Sequence, residues 1–364
     1  MAKVVMTADL HFGVAGRLND ILWASRVIRE YCKAANIDTV LVLGDLFHDR
    51  KSIEIDVLSA ASKFFEECSL KYGQQWIAFP GNHDMYLRHS WDINSLTVMK
   101  KHLTIVEDIK VLTIDDARFW IVPFITYEKP YMKVINEIEK QYERDDVLLT
   151  HIGVRGSTLN TCFLLKDWST IHFEHSKFKR IYTGHFHSKQ QVGLNVYYPG
   201  SPIPFKFDEG DVPHGFYVYD TDTKDHKFIN IWKAGEKLLP YEPQPPQYYT
   251  ITNETIPDVT EGDIKNGMVR VALLRHHTAE EKFKIKDQLL QMGARSVRWM
   301  DQSQKIETQT IIAAKPNKNL FQSWIDQDKT GLKGLDVKIL QRINDEIILE
   351  GDEHYSVEES DITS

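Results

Sequence analysis

Five short apolar runs in the first half of the chain each end in a cluster of residues that are able to bind metal ions. The clusters are rich in aspartate, asparagine and histidine, and none contains cysteine. They read Asp9-Leu10-His11, Gly44-Asp45-Leu46-Phe47-His48, Gly81-Asn82-His83-Asp84, His151-Ile152-Gly153 and Gly184-His185-Phe186-His187. Continuous apolar runs are typical of strands in a parallel sheet that is buried on both faces. We therefore expect all five clusters to converge on one edge of one sheet.

Strand and helix patterns alternate over the first ninety residues. Short strands are predicted at residues 4–6, 39–43 and 76–79. An amphipathic helix with Asp20 as its N-cap follows the first strand, and a second, over about 55–72, follows the next. This alternation predicts parallel, right-handed βαβ units.

The pattern changes in the following part of the chain. Residues 146–150 and 179–183 are predicted strands that deliver His151 and His185. Residues 215–220 and 226–232 predict an antiparallel hairpin. The expected fold class is a layered α/β sandwich of two mixed sheets flanked by helices, followed by a small α/β domain and C-terminal helices.

A proline-rich stretch divides the chain of 364 residues, which is long for a single domain. Pro240, Pro243, Pro245 and Pro246 predict a stiff connector. We predict a dinuclear metal-binding domain over 1–235, a linker over 236–248, a small α/β domain over 249–315, a helical partner-docking segment over 316–350 and an acidic tail over 351–364. The tail has five acids and neither Lys nor Arg, which predicts disorder.

The composition restricts the classes of protein to which the chain can belong. A hydrophobic fraction of 42% with 26% charged residues predicts a soluble globular protein, and no apolar run approaches the length of a membrane span. The net charge of −8 argues against binding that relies only on non-specific attraction to phosphate, although a local basic patch, a metal pair or a partner would still permit it. The scattered Cys32, Cys68 and Cys162, with no secretory signal, predict a cytoplasmic protein with reduced thiols.

Carboxylate, amide and imidazole side chains without thiolates suit Mn, Fe or Zn in an open site. Residues two apart in an extended segment point to the same side, so Asp9 and His11 are expected to bind one ion together. Asp45, at the end of the central strand, is placed to bridge two ions. A lone Asp or His at a strand end is usually a surface or capping residue, but five such clusters in order favour a dinuclear centre. Two neighbouring divalent ions are typical of phosphoester hydrolysis.

These motifs resemble those of the calcineurin-like metallophosphoesterase superfamily. Within it the chain is similar to the SbcD-type nucleases of double-strand break repair, especially to bacteriophage recombination endonuclease subunits. The second cluster has the nuclease form, including His48, and Tyr198-Pro199-Gly200-Ser201-Pro202 followed by His214-Gly215-Phe216 matches a later family segment. The region after residue 248 matches the family's capping domain, which implies that residues 249–315 cap the site and bind DNA, and the family's partner-binding helices.

The resemblance implies two bound divalent ions, with manganese expected. It assigns the first ion to Asp9, His11, Asp45 and His187, and the second to Asp45, Asn82, His151 and His185. It also implies that His83 protonates the leaving oxygen or stabilises the phosphorane, that Asp84 orients the His83 imidazole, and that His48 positions the scissile phosphate.

The implied function is a Mn-dependent DNA exonuclease and endonuclease, the catalytic subunit of an SbcCD-type complex that processes DNA ends in recombination and repair. The implied partners are DNA, an SbcC-type coiled-coil ATPase bound by the C-terminal helices, and a second copy of the chain, in the cytoplasm of a bacterium or phage-infected host. Candidate DNA contacts near the motif ends are Arg50, Lys51, Arg155 and Lys189, although each is equally well explained as solvated surface charge.

Two other functions remain to be compared with a nuclease. The first is a two-metal phosphodiesterase or phosphatase that acts on a small nucleotide or a phosphoprotein. The region after residue 248 argues against it, because small-molecule hydrolases of this superfamily commonly lack such an addition. The second is a scaffold with a vestigial metal site, and no substituted ligand position favours it.

Overall fold

A computed structural model describes residues 2–87, 90–158, 173, 176–210 and 212–301. The residues up to Met300 form one compact unit. The strands in chain order are β1 (Lys3–Thr7), β2 (Thr39–Val42), β3 (Gln75–Ala78), β4 (Met85–Leu87), β5 (Ser90–Asn94), β6 (Thr104–Ile105), β7 (Lys110–Ile114), β8 (Ala117–Val122), β9 (Val147–His151), β10 (Arg180–Gly184), β11 (Gln190–Val192), β12 (Val196–Tyr198), β13 (Gly215–Asp220), β14 (His226–Asn230), β15 (Tyr248–Thr252), β16 (Met268–Leu273) and β17 (Ser296–Asp301). The helices are α1 (Leu18–Ala35), α2 (Ile55–Leu70), α3 (Glu128–Ile138), α4 (Ile231–Leu238), α5 (Glu261–Ile264) and α6 (Ala279–Gln291).

Two six-stranded sheets pack face to face, with helices on their outer faces. The first has the order β14-β13-β1-β2-β3-β6 and the second the order β11-β12-β10-β9-β8-β7. Apolar residues of both sheets, such as Leu41 and Leu149, form the core between them. Helices α1, α2 and α4 cover the first sheet, and α3 covers the second. This arrangement confirms the predicted layered α/β sandwich of two mixed sheets.

Parallel strands form the centre of each sheet. In the first sheet β1, β2 and β3 are parallel, and in the second β8, β9 and β10 are parallel. Along β2 and the residue after it, Val40 and Val42 pack towards the helices, whereas Leu41 and Leu43 pack towards the second sheet. Both faces of these strands are buried, which explains why their sequences are apolar throughout.

The metal-binding clusters come from two sheets, so the prediction that one sheet holds all five is wrong. Asp9, Asp45 and Asn82 follow β1, β2 and β3 of the first sheet, whereas His151 ends β9 and His185 follows β10 of the second. An apolar run of four or five residues indicates a buried strand but does not reveal which sheet contains it. The packing of the two sheets brings their edges together.

Helix α1 begins three residues earlier than a cap at Asp20 would allow. Arg17 occupies the N-cap position, and Asp20 lies in the first turn with its carboxylate 2.6 Å from Nε of Arg17. A carboxylate in the first turn stabilises a helix through the partial positive charge at its N-terminus. The prediction of Asp20 as the N-cap is therefore wrong, although the residue does lie at the start of the helix.

Helix α4 occupies the region where the sequence predicted the end of a strand and the start of the linker. Strand β14 ends at Asn230, whose side chain accepts hydrogen bonds from the amides of Trp232 and Lys233 and so caps the helix. The helix packs on α1, where the indole rings of Trp23 and Trp232 stack with centroids 5.6 Å apart. The predicted linker of residues 236–248 therefore begins inside a helix, because an apolar pattern this short fits either element.

The last described part of the chain is a three-stranded sheet, in the order β15-β16-β17, with its own apolar core. The sequence pattern predicts strands over residues 268–274 and 296–300 and, over 278–292, a helix with Thr278 as its N-cap. These elements correspond to β16, β17 and α6, whereas β15 is not predicted. Thr278 caps α6 as predicted: its hydroxyl accepts from the amide of Glu281, and the Glu281 carboxylate accepts from the amide of Thr278. The predicted C-terminal helices and acidic tail lie outside the described residues, as does Cys162.

The structure also bears on the cysteines and on the predicted lack of a membrane span. Cys32 and Cys68 are free thiols, as predicted, and both are buried. Among the described residues, no helix is both long enough and apolar enough to pass through a bilayer.

Replacing Gly235 by Ala should lower the free energy of unfolding by about 1 kcal/mol or more, because overpacking in a core commonly costs that much. A methyl group at this position would lie 2.5 Å from Cη2 of Trp23, whose indole is buried against Trp232. Alanine is intrinsically better than glycine inside a helix by about 1 kcal/mol, so the steric conflict must outweigh this gain. Urea denaturation measures the change.

The matched control is Gly262→Ala in α5, where the added methyl group would have only Oγ1 of Thr260 nearby, at 3.8 Å. This variant should unfold at the same or a higher urea concentration than the wild type. A Gly235→Ala protein as stable as its Gly262→Ala counterpart would contradict the close packing of α1 on α4.

Candidate metal centre

All seven predicted metal ligands lie in one cluster, where the edges of the two large sheets meet. Five of them are buried, and the side chains of His185 and His187 are partly exposed. The cluster is formed by Asp9, His11, Asp45, Asn82, His151, His185 and His187. The structure therefore brings the predicted residues together, while their role as metal ligands remains a prediction.

The backbone turns sharply at the ends of β1 and β2. Asp9, His11 and Asp45 have positive φ angles of 52°, 49° and 52°, in the left-handed region that non-glycine residues seldom adopt. The amide of Asp9 donates to the carbonyl oxygen of Gly44, and the amide of His11 donates to that of Asp45. Asp9 and His11 therefore do not lie in an extended segment, and the prediction that such a segment points them to one side is wrong. Backbone hydrogen bonds between the loop after β1 and the loop after β2 fix the positions from which these side chains extend.

Three glycines in the motifs leave room for the His151 ring and the Asp45 carboxylate. A methyl group on Gly44 would lie 2.7 Å from Cγ of His151, one on Gly184 would lie 2.7 Å from Nδ1 of the same ring, and one on Gly81 would lie 2.8 Å from Cγ of Asp45. Real Cβ atoms do not approach other heavy atoms this closely, since the interior is packed without spare room. The glycines before Asp45, Asn82 and His185 are therefore steric requirements of the cluster.

The first group of ligand atoms surrounds His11. Its Nε2 lies 3.0 Å from Nε2 of His187 and 3.8 Å from Oδ2 of Asp45. The ligand atoms of Asp9, His11 and His187 all lie within 4.8 Å of one another. Together with Asp45, these are the residues that the resemblance assigns to the first ion.

The second group surrounds Asn82. Its Oδ1 lies 2.9 Å from Nε2 of His151 and 2.8 Å from Nδ1 of His185. Oδ2 of Asp45 lies 3.2 Å from the same His151 nitrogen, while Oδ1 accepts a hydrogen bond from the amide of His83. The Oδ2 atom of Asp45 thus lies near both groups, where a bridging carboxylate oxygen would be needed.

The donor chemistry of the cluster fits divalent cations. Nδ1 of His151 lies 2.8 Å from the carbonyl oxygen of Leu43, which can only accept, so Nδ1 carries the proton. In the neutral ring, Nε2 then presents a lone pair to the oxygens of Asn82 and Asp45. Acceptors this close repel one another unless a proton or a cation lies among them. Nitrogen and oxygen ligands without thiolate suit Mn, Fe or Zn.

Burial has the largest influence on the ionisable groups of this cluster. It raises the pKa of Asp9 to about 6, and together with the nearby His187 it holds the pKa of His11 well below its usual range. Burial also opposes the charged form of His151, but the Asp45 carboxylate overcomes it and raises the pKa of His151 to about 9. At neutral pH His151 therefore holds a second proton, which metal binding at this ring would release.

Glu209 belongs to the centre but was not predicted. It is 7% exposed, and its Oε1 accepts a hydrogen bond of 2.9 Å from Nδ1 of His187. Its Oε2 accepts from the amides of Phe205 and Lys206. Against the effect of burial, the charge of His187 lowers the pKa of Glu209 to about 2. A carboxylate of this kind orients a metal-binding imidazole, but a single Glu in a loop carries no recognisable sequence signal.

His83 and His48 lie beside the first group of ligands. Nδ1 of His83 lies 2.7 Å from the carbonyl oxygen of His48, and the two imidazole rings stack with centroids 5.5 Å apart. Nδ1 of His48 is 3.4 Å from Nδ1 of His11. Burial and the nearby His83 lower the pKa of His48, which favours its neutral form.

The predicted role of Asp84 is wrong. Its carboxylate accepts from the backbone amides of Leu46, Phe47 and Gly81 and from the hydroxyl of Ser95. The carbonyl oxygen of His48, rather than Asp84, fixes the ring of His83. Asp84 instead ties the loop after β2 to the loop after β3, which a sequence motif does not reveal.

The four candidate DNA contacts lie in different surroundings. Arg50 and Lys51 follow His48 in the loop after β2, the first half-buried and the second exposed. Arg155 lines a cleft with Phe178 and Val196, whereas Nζ of Lys189 lies 5.0 Å from the centroid of the Phe228 ring. Their role in binding DNA remains a prediction.

Comparisons with known proteins agree with this geometry. Residues 2–189 match the family model of the calcineurin-like phosphoesterases. Protein 244L of Invertebrate iridescent virus 6, named as a phosphoesterase, is 22% identical over 222 residues, which are 57% of this chain and 73% of that protein. Exonuclease subunit 1 of Enterobacteria phage T4 is 24% identical over 248 residues, which are 62% of this chain and 67% of that protein.

A solved structure of GAP50 from Plasmodium is also similar. It is 11% identical, and the match covers 65% of this chain and 94% of that one with a TM-score of 0.40. A likeness of this size says nothing about function.

The family model spans more than half of the chain and contains all five metal-binding clusters. The resemblance to the superfamily is thus confirmed, and the similarity to a phage exonuclease subunit agrees loosely with its nuclease branch. On this evidence from sequence and geometry together, the chain belongs to the calcineurin-like phosphoesterase family of metal-dependent hydrolases.

Proposed function

We propose that this phosphoesterase is a manganese-dependent DNA nuclease, the catalytic subunit of an ATPase–nuclease complex that processes DNA ends. The observation that carries the proposal is the position of His48, which stacks on His83 and approaches His11 at the metal centre. This histidine belongs to the form of the second motif that resembles the nucleases. The similarity to a phage exonuclease subunit supports the same branch of the family.

In this proposal Asp9, His11, Asp45 and His187 hold one ion, and Asp45, Asn82, His151 and His185 hold the other. Two such ions supply activated water and offset the charge of the phosphate in the transition state. Glu209 and the carbonyl oxygen of Leu43 hold the rings of His187 and His151 through their Nδ1 atoms, so that each Nε2 faces the cluster.

His83 is the proposed proton donor to the leaving oxygen. Because its Nδ1–H donates to the carbonyl oxygen of His48, the proton to be transferred must sit on Nε2. The ring therefore acts as an acid only in its doubly protonated form and becomes neutral when the proton moves to the leaving oxygen. His48 positions the phosphate beside it.

The Asp45→Asn variant tests the nuclease function together with the bridging role of this carboxylate. With Mn, the wild-type protein should cleave end-labelled duplex DNA faster than a cyclic nucleotide at equal phosphodiester concentration. The variant should lose more than the ~100-fold that is typical of residues outside the ligand set, because both ions lose a charged ligand. Gel analysis of the DNA and chromatography of the nucleotide measure the rates.

Two results would count against this proposal. Turnover of the cyclic nucleotide without cleavage of DNA would favour the small-molecule phosphodiesterase instead. Cleavage of DNA by the Asp45→Asn variant near the wild-type rate would show that the Asp45 carboxylate does not bridge two ions.

The His48→Ser variant separates substrate positioning from metal binding. Exonucleolytic cleavage of labelled DNA should fall by about 10-fold or more, since misplacing the phosphate by about 1 Å is costly. Hydrolysis of a simple chromogenic diester, and manganese binding measured by calorimetry, should change much less. An equal loss in all three measurements would instead make His48 a ligand or a structural residue.

We further propose that the C-terminal segment binds a coiled-coil ATPase. The support comes from the sequence, in which apolar residues such as Leu320, Phe321 and Trp324, and Ile339, Ile343 and Ile347, recur at helical spacing.

Deleting residues 318–364 should abolish co-purification with a co-expressed SbcC-type ATPase but preserve manganese-dependent hydrolysis of the chromogenic diester. Retention of the complex by the truncated protein would show that docking occurs elsewhere.

A further inference from the structure

A cleft rich in arginine lies beside the metal centre, where the three-stranded sheet meets the loop between β1 and α1 and the segment around Phe205. Its volume is about 450 Å³, within the range of small-ligand sites. Five cations line it against two carboxylates: Arg17, Lys206, Arg270, Arg295 and Arg298. In a chain whose net charge is −8, this is a local concentration of positive charge. We call it the arginine cleft.

The arginine cleft begins where the metal centre ends. Phe205 lines the cleft, and its ring centroid lies 5.7 Å from that of His11 and 5.6 Å from that of His187. Lys206 and Phe207, the next two residues, also line it. The turn that contains them carries Glu209, whose carboxylate holds His187. One short segment therefore contributes to both the cleft and the metal centre.

Arg17 offers an unsatisfied donor at the cleft. The residue is only 8% exposed, and its Nη1 donates to the hydroxyl of Tyr248 while its Nε lies beside the Asp20 carboxylate. Its Nη2 is buried and has no hydrogen-bond partner among the described residues. A buried guanidinium N–H without an acceptor is costly, so the position favours an anionic ligand that would accept from it.

Two further arginines keep most of their charge available. Arg295 and Arg298 are exposed, and neither has a salt bridge within the described part of the chain. The guanidinium of Arg270 is partly neutralised by Asp208, 2.7 Å away. Arg270 and Arg298 lie 5.1 and 6.0 Å from the centroid of the Phe207 ring, a contact that restrains the guanidinium planes.

The chemistry of the cleft matches phosphate groups better than bases. Guanidinium groups bind phosphate oxygens with two parallel hydrogen bonds. The rings of Phe207 and Tyr248 are buried and already covered by arginines, which leaves them little surface on which a base can stack. Contacts of this kind position a nucleic-acid strand without reading its sequence.

We propose that the arginine cleft binds backbone phosphates of the DNA strand, next to the phosphodiester bond that lies at the metal centre. The inference rests on the proposed nuclease function and deepens it. A cyclic nucleotide has a single phosphate. Because this phosphate occupies the metal centre, the nucleotide has no second phosphate to place in the cleft. A polynucleotide uses both sites, and this gives the enzyme its preference for nucleic acid.

The test compares the double variant Arg295→Ala/Arg298→Ala with Arg275→Ala in the full chain. Arg275 is exposed two residues after the end of β16, in the same part of the protein but outside the cleft. Binding of a fluorescein-labelled DNA hairpin with a single-stranded tail is followed by anisotropy in EDTA, over a series of salt concentrations. The double variant should bind about 10-fold more weakly, and its slope of log K against log salt should fall by roughly 2. Arg275→Ala should bind like the wild type.

Hydrolysis of bis(p-nitrophenyl) phosphate with Mn gives the second readout, because this small diester reaches only the metal centre. The double variant should retain the wild-type rate, which also shows that the protein is folded. Unchanged DNA affinity and salt slope, or an equal loss in Arg275→Ala, would overturn the inference while leaving the nuclease proposal intact. The opposite outcome, in which the double variant alone loses DNA binding but the wild-type protein never cleaves DNA, would uphold the cleft and reject the nuclease proposal.

Discussion

The close approach of two sheet edges is the constraint on which the site depends. A methyl group on Gly44 would collide with the His151 ring of the other sheet, and one on Gly184 would collide with the carbonyl oxygen of Leu43 in the other sheet. Gly81 leaves room for the Asp45 carboxylate within its own sheet. With the edges this close, Oδ2 of Asp45 lies 3.2 Å from Nε2 of His151 and 3.8 Å from Nε2 of His11. The Asp45 carboxylate, which follows a strand of the first sheet, thus lies near imidazoles from both sheets, those of His11 and His151.

This geometry gathers buried acceptors that would repel one another without a proton or a cation among them. Neighbouring groups hold them in place: the carbonyl oxygen of Leu43 fixes His151, and Glu209 fixes His187. Asp84 ties the loops after β2 and β3 together through backbone amides. These partners keep the lone pairs directed at the cluster, which is how groups outside a ligand set support metal binding.

Features that depend on interactions between residues close in sequence were predicted correctly, whereas features that depend on contacts between distant segments were not. The parallel strands, the Thr278 cap and the seven clustered side chains were predictable, because apolar runs, capping residues and motifs are local signals. The start of α1 and the helix at Ile231–Leu238 were placed wrongly, because short patterns fit more than one element. The assignment of strands to sheets failed because it depends on packing between distant segments.

By itself, the sequence determined which strands are buried, which polar residues follow them and that these residues suit two divalent ions. Only the tertiary structure decided that two sheets supply the seven clustered side chains, that Glu209 rather than a motif residue holds His187, and that arginines from distant segments meet beside Phe205. The reason is physical: a local pattern specifies conformation and burial, whereas the identity of a neighbour far along the chain is fixed only when the layers pack.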